Sequence, residues 1–252
     1  MIPNFIWKNI NKLDWYALSE NPGAIPLLEA NPGKINWDKL CENTNPAVVH
    51  FLEANPEKIN WTLLSHNPKA IHLLEANQDK IYWPWLSINS AAIHLLEANQ
   101  DKIDWRRLCL NPNPAILPLL EANLNELDWY FLCSNPNPAI LPLLEANLDD
   151  KIIWYDLSTN PLAIHILEAN QRNIHWDYLS QNPAAIHLLE ANLNIINWRK
   201  LSQNPAAIHL LEANPGKIDW ENFSKNPNIL DIFKGNTDTK NIFTTTNKPV
   251  MK

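Results

Sequence analysis

Residues 198–219 read WRKLSQNPAAIHLLEANPGKID, and this stretch decides the fold. Its second half, Pro205 to Ala213, places Ala207, Ile208, Leu210 and Leu211 on one side at ~100° per residue, with His209 and Glu212 opposite. Asn204-Pro205 ahead of it suits a helix N-cap followed by proline in the first turn, where the missing N–H costs little. The first half places Trp198, Leu201 and Ser202 on one face, and the positions one, two and five after the Trp point away. The stretch therefore predicts two short helices.

The same pattern recurs along the chain. Trp stands at 15, 37, 61, 83, 105, 129, 154, 176, 198 and 220, at spacings of 22 to 25 residues, and E-A-N appears nine times at matched positions. Self-similarity at this period marks a repeat architecture. Nine complete repeats cover 15–219, preceded by a cap over 1–14 and followed by a degenerate capping repeat over 220–235, all within one repeat domain (1–235); a polar tail follows at 236–252. The expected fold is all-α, an α/α-solenoid of about ten helix–turn–helix repeats. A leucine-rich repeat is the alternative at this period, but it requires an L-x-L strand. Here the residue two before the leucine is often polar (Asp38, Thr62, Arg106, Asp177, Arg199), and the apolar partner lies three before, which is helical spacing.

Asp or Asn usually precedes the Trp as a cap (Asp14, Asn36, Asn60, Asp104, Asp219). The Asn of E-A-N suits the left-handed position that closes a helix, a role normally given to Gly, of which the chain has only 4. Stacked repeats are expected to bury Trp, Ile and Leu in one continuous ladder. The repeats starting at Trp37, Trp105 and Trp129 insert two residues before the second helix, and these alone replace the usual Ser by Cys41, Cys109 and Cys133. The cysteines read as buried small residues rather than redox or metal groups.

The 252 residues carry 20 Lys+Arg against 27 Asp+Glu, and the excess of acid lies in the body up to Asp231, which argues against a phosphate-tracking surface. No apolar run approaches a membrane span, no signal-peptide layout opens the chain, and three scattered cysteines suggest a reducing compartment. No nucleic-acid, membrane or cofactor partner is expected. Six His (His50, His72, His94, His165, His187, His209) stand three residues before a Glu, a spacing that invites a metal. Yet Pro26, Pro118 and Pro142 take the same position elsewhere, so a solvated face with an i,i+3 ion pair is the better reading. His66 and His175 fall off this register and suggest nothing. A repeat sets like groups in rows where an active site needs unlike groups at one place, so no catalytic residue is assigned and no enzyme is expected.

The variable positions one and two after Trp carry Trp85, Arg106, Arg107, Tyr130, Phe131, Tyr155, Tyr178 and Arg199, side-chain types that dominate interface hot spots. They are the candidate binding residues for a protein partner. The expected function is a non-catalytic interaction or scaffold module; the alternative is a structural component that associates with its own copies. A metal- or hydrolase-type enzyme ranks third and a nucleic-acid reader last.

Repeats of the form I-D/N-W-x-x-L-S-x-N-P-x-A-I-x-L-L-x-x-N, running here from Ile35-Asn36-Trp37 to Trp220, resemble a repeat family common in giant double-stranded DNA viruses of protists. The resemblance implies a viral helical repeat protein of the host cytoplasm or the virion, and it carries no activity to transfer.

Overall fold

The computed structural model describes residues 2–148 and 151–229, so the tail expected at 236–252 and the end of the degenerate repeat lie outside the described residues. Every regular element described is helical, and no strand occurs among the described residues. That rules out the leucine-rich-repeat alternative and leaves an all-α repeat solenoid. Two compact blocks divide the chain, Met1–Ile140 and Leu141–Lys252. None of the described helices is long and apolar enough to cross a membrane.

Within each repeat the chain makes a first helix opened by the Trp and a second helix opened through a 3-10 turn. Trp198–Leu201 is capped by Asn197, whose side chain accepts the Lys200 N–H, and Asp104, Asn60 and Asp219 cap their helices in the same way. Tyr82 offers no cap oxygen, but Pro84 in that first turn has no N–H to be capped. The second helix begins at Asn-Pro: Asn182 accepts the Ala184 N–H, Pro183–Ala185 forms the 3-10 turn, and Ile186–Glu190 continues as α-helix.

Helices of four to seven residues do not persist alone, because nucleation costs more than so few hydrogen bonds return. Packing between repeats supplies the rest. The leucine three after each Trp is fully buried in the interior repeats (Leu40, Leu64, Leu86, Leu108 and Leu132; Leu157, Leu179 and Leu201), as is the second leucine of each pair, such as Leu74, Leu96 and Leu189. The tryptophans differ from the expected ladder. They are half-buried, with Trp220 exposed, and Lys80 and Lys102 lie 4.7 and 4.8 Å over the rings of Trp61 and Trp83. The bulky indole lies over the leucine core with one side left to solvent and lysine.

A second correction concerns the asparagines. No described residue has a positive φ, so the E-A-N asparagines do not adopt the left-handed conformation. Asn214 sits at φ −131°, and its side-chain amide donates to the Leu210 carbonyl four residues back, capping the helix from its own turn. The Asn of Asn-Pro has a larger role. Asn204 Nδ2 donates to the carbonyls of Ser180 and Asn182 in the preceding repeat, both at 3.1 Å, while its Oδ1 accepts the Ala206 N–H. Asn226 repeats this on Ser202 and Asn204, and Asn111 does so on Ser87 and Asn89. These amides are almost wholly buried. The serine four after each Trp completes the join. Ser180 Oγ donates to the Trp176 carbonyl at 2.7 Å and accepts the Asn197 N–H at 2.9 Å.

Asn204→Ala removes both donors from buried carbonyls together with a cap, and a urea titration should show a loss of about 2–4 kcal/mol. Asn214→Ala should cost about 1 kcal/mol, and Asn214→Gly should not recover it. A left-handed cap would make the glycine neutral or stabilising, whereas at negative φ it only adds freedom to the unfolded chain.

Candidate interaction surface

The first helices present their +1, +2 and +5 positions (counted from Trp) along one face, and the side chains there touch from one repeat to the next. In the N-terminal block, Lys39 lies 5.1 Å over the Tyr16 ring. Arg107 stacks 4.6 Å over Trp85, whose ring also meets His66 at 5.3 Å. Arg106 lies 4.8 Å over Phe131, which packs edge-on to Tyr130. In the C-terminal block, Tyr155 meets Tyr178 at 5.5 Å, Lys200 sits 3.8 Å over Tyr178, and His175 packs against the same ring.

The eight expected binding residues therefore fall into contacting sets. Trp85 and Arg107 form one; Arg106, Tyr130 and Phe131 form another; Tyr155 and Tyr178 form a third. Arg199 stands apart from these, highly exposed, with its Nε 3.8 Å from Asp219. Tyr130 and Tyr155 are exposed, while Trp85, Phe131 and Tyr178 are half-buried, so the +2 position leans onto the next repeat rather than pointing freely outward. At Asp156 this expectation fails outright, since that +2 residue is buried.

Several participants were not singled out from the sequence. Lys39 and Lys200 supply the cations, and His66 and His175, set aside as off-register, both lie against this face. The readable signal was a spacing of one repeat: Lys39 follows Tyr16 by 23 residues, and Arg107 follows Trp85 by 22. Ion pairs fix the cations. Lys39 bridges Glu42 at 2.6 Å and Glu20 at 3.2 Å, and these two bonds hold its ammonium well above the usual lysine range. Lys200 pairs with Asp177 at 2.7 Å, and with the Asn197 amide it holds that carboxyl below its ordinary range.

The second helices carry the His and Glu rows, and here the pairing differs from the i,i+3 expectation. Each His reaches the Glu of the preceding repeat: His94 to Glu75 at 2.5 Å, His187 to Glu168 at 2.6 Å and His209 to Glu190 at 2.5 Å. The pairs cross the joint between repeats, about half exposed on each side. No group of three or more His, Cys, Asp or Glu placed to hold a metal occurs among the described residues. The cysteines are buried as expected. Desolvation pushes the Cys41 thiol up to about 11 and the Cys109 thiol up to about 12, so neither forms a thiolate near neutral pH. Each accepts a backbone N–H from the next cap residue, Asn60 and Asp128, as the serines do elsewhere.

The fold and this surface together define an all-α repeat protein with an exposed aromatic–cation face on its first helices. No family model, curated protein or solved structure matches the chain.

Asp156 supplies a test of the energetics. Its Oδ2 is buried without a hydrogen-bond partner, and desolvation raises its pKa, with a side-chain bond from Tyr155 offsetting this in part. An acid whose folded pKa is raised destabilises the fold above that pKa, and the deficit shrinks as pH falls through it. Asp156→Asn should therefore raise the urea midpoint at neutral pH, and the gain should fade on acidification.

Proposed function

We propose that the chain is a non-catalytic interaction or scaffold module whose first-helix face docks a partner protein. The carrying observation is the row of exposed and half-buried aromatic rings on this face, several of them already stacked with arginine or lysine. Trp, Tyr and Arg are the types that anchor interfaces, and exposed clusters of them are uncommon on monomer surfaces. Contacts from repeat to repeat restrict these side chains before a partner arrives, which lowers the entropy lost on binding. Three buried cysteines and the likeness to giant-virus repeats favour an intracellular setting, host cytoplasm or virion.

Capture from cells that make the protein tests this reading. A chain carrying Tyr130→Ala, Phe131→Ala, Tyr155→Ala and Tyr178→Ala should lose its captured partner. One carrying His165→Gln, His187→Gln and His209→Gln should keep it. The aromatic variant should melt a few degrees lower, because each lost cation–ring stack is worth about 0.5–1 kcal/mol. Full capture by the aromatic variant would falsify the assignment of the face. Concentration-dependent self-association on a sizing column, abolished by the same four substitutions, would instead identify the partner as a second copy.

A further inference from the structure

Trp85 stands between two hollows on the first-helix face of the N-terminal block, one edged by carboxylates and the other by guanidinium groups. One, of about 290 Å³, is lined by Glu20, Glu42, Leu63, His66, Pro68 and Trp85. The other, of about 420 Å³, is lined by Trp85, Ile88, Asp104, Arg106, Arg107 and Phe131, with Leu110 beside them. In the first, two carboxylates share the single ammonium of Lys39, which leaves one negative charge over. Its walls of Leu63, Pro68 and Trp85 suit the alkyl stem of a long cationic side chain whose head reaches the carboxylates. In the second, two guanidinium groups meet two carboxylates, Asp104 in the lining and Asp128 beside Arg106, so it carries paired charge rather than an excess. Arg107 approaches Asp104, and Arg106 approaches Asp128, through Nε in each case, at 3.5 and 3.4 Å. The guanidinium ends remain suited to grip a carboxylate.

The hollows are centred about two repeats apart. Packed helices lie ~8–10 Å from one another, so the centres are separated by roughly 16–20 Å. An extended peptide covers that distance in five or six residues at ~3.3 Å each. Resting on the protein-interaction reading above, we propose that the two hollows bind an extended peptide segment of the partner. That segment carries a Lys or Arg and, five or six residues away, an Asp or Glu, with an apolar side chain crossing Trp85 between them. The charge arrangement disfavours a polyanion, because Glu20 and Glu42 repel a chain of one negative sign.

The test pans a random dodecapeptide display library against the full chain, then measures the recovered consensus peptide by fluorescence anisotropy. Enriched peptides should share one basic and one acidic residue at a separation of four to seven, flanking an apolar residue. Glu20→Gln with Glu42→Gln, and separately Arg106→Gln with Arg107→Gln, should each weaken binding at least tenfold. Trp85→Ala should abolish it. Both glutamine pairs should keep the fold, checked by an unchanged circular dichroism spectrum, with only a small drop in urea midpoint from the lost Arg–ring and Lys39–carboxylate contacts. His187→Gln with His209→Gln on the second helices should leave peptide binding unchanged. No enrichment, enrichment without the charge pair, or affinity indifferent to both glutamine pairs would overturn the proposal. Peptide binding that survives Trp85→Ala yet is lost with Tyr155→Ala and Tyr178→Ala would overturn it while sparing the broader reading. That reading fails on its own test, when the aromatic variant still captures the partner.

Discussion

The buried side-chain amide of the Asn-Pro pair is the interaction on which this structure depends. Short helices have mostly ends, and every end leaves N–H and C=O groups without an intrahelical partner. A chain of four- to seven-residue helices would bury many such groups at each joint between repeats. One asparagine answers several of them at once. Asn182 donates to Ser158 and Asn160 behind it, and its own oxygen caps the helix ahead through Ala184. Aspartate lacks the two donors and serine has only one, so no other small side chain supplies two donors behind and an acceptor ahead. About a third of the 36 asparagines of the sequence stand at these joints.

The inserted repeats show the same requirement met differently. Where two residues are added, two asparagines divide the task. Asn43 donates back to Ser19 and accepts the Asn45 N–H, while Asn45 caps the second helix through Ala47 and donates to Pro22. Asn111 and Asn113 follow the same division. Longer turns are accommodated because the bridge to the preceding repeat stays in register while the added residues carry the cap. Asn137, the second asparagine of the third such repeat, caps Ala139, yet its buried Nδ2 has no partner. The division is thus less complete there, and the buried donor carries a desolvation cost that the paired amides avoid.

The helices and their leucine core were legible because helical periodicity is a property of neighbours three and four residues apart. Leu201 and Leu211 declare their burial within their own repeat. What was misread involves partners a whole repeat away. His187 was matched with Glu190 on its own helix, whereas its partner is Glu168. Asn214 and Asn204 look alike in composition, yet one caps its own turn and the other joins two repeats. Spacing within a helix cannot reveal a bond that crosses a joint. A comparison at offsets of 17 to 26 residues could, since the crossing bonds recur at those separations. The half-exposed Trp was missed for another reason: recurrence marks a structural position without saying how deep it lies.

The division of labour within each repeat bears directly on function. The most deeply buried bonds that join repeats run through Ser, Asn and backbone, whereas those that reach +1 or +2, such as Lys200 with Asp177, lie nearer the surface. Those positions can therefore change without unfastening the array, which permits a diverse surface on a uniform frame. Change there is nevertheless coupled, because a ring in one repeat supports a cation in the next, as Tyr178 does for Lys200 and Trp85 for Arg107. Replacing one member leaves the other less ordered, with less of its shape fixed before binding. On the interaction reading proposed above, recognition by such a face would rest on adjacent repeats in pairs, and the smallest element able to specify a partner would be two repeats rather than one.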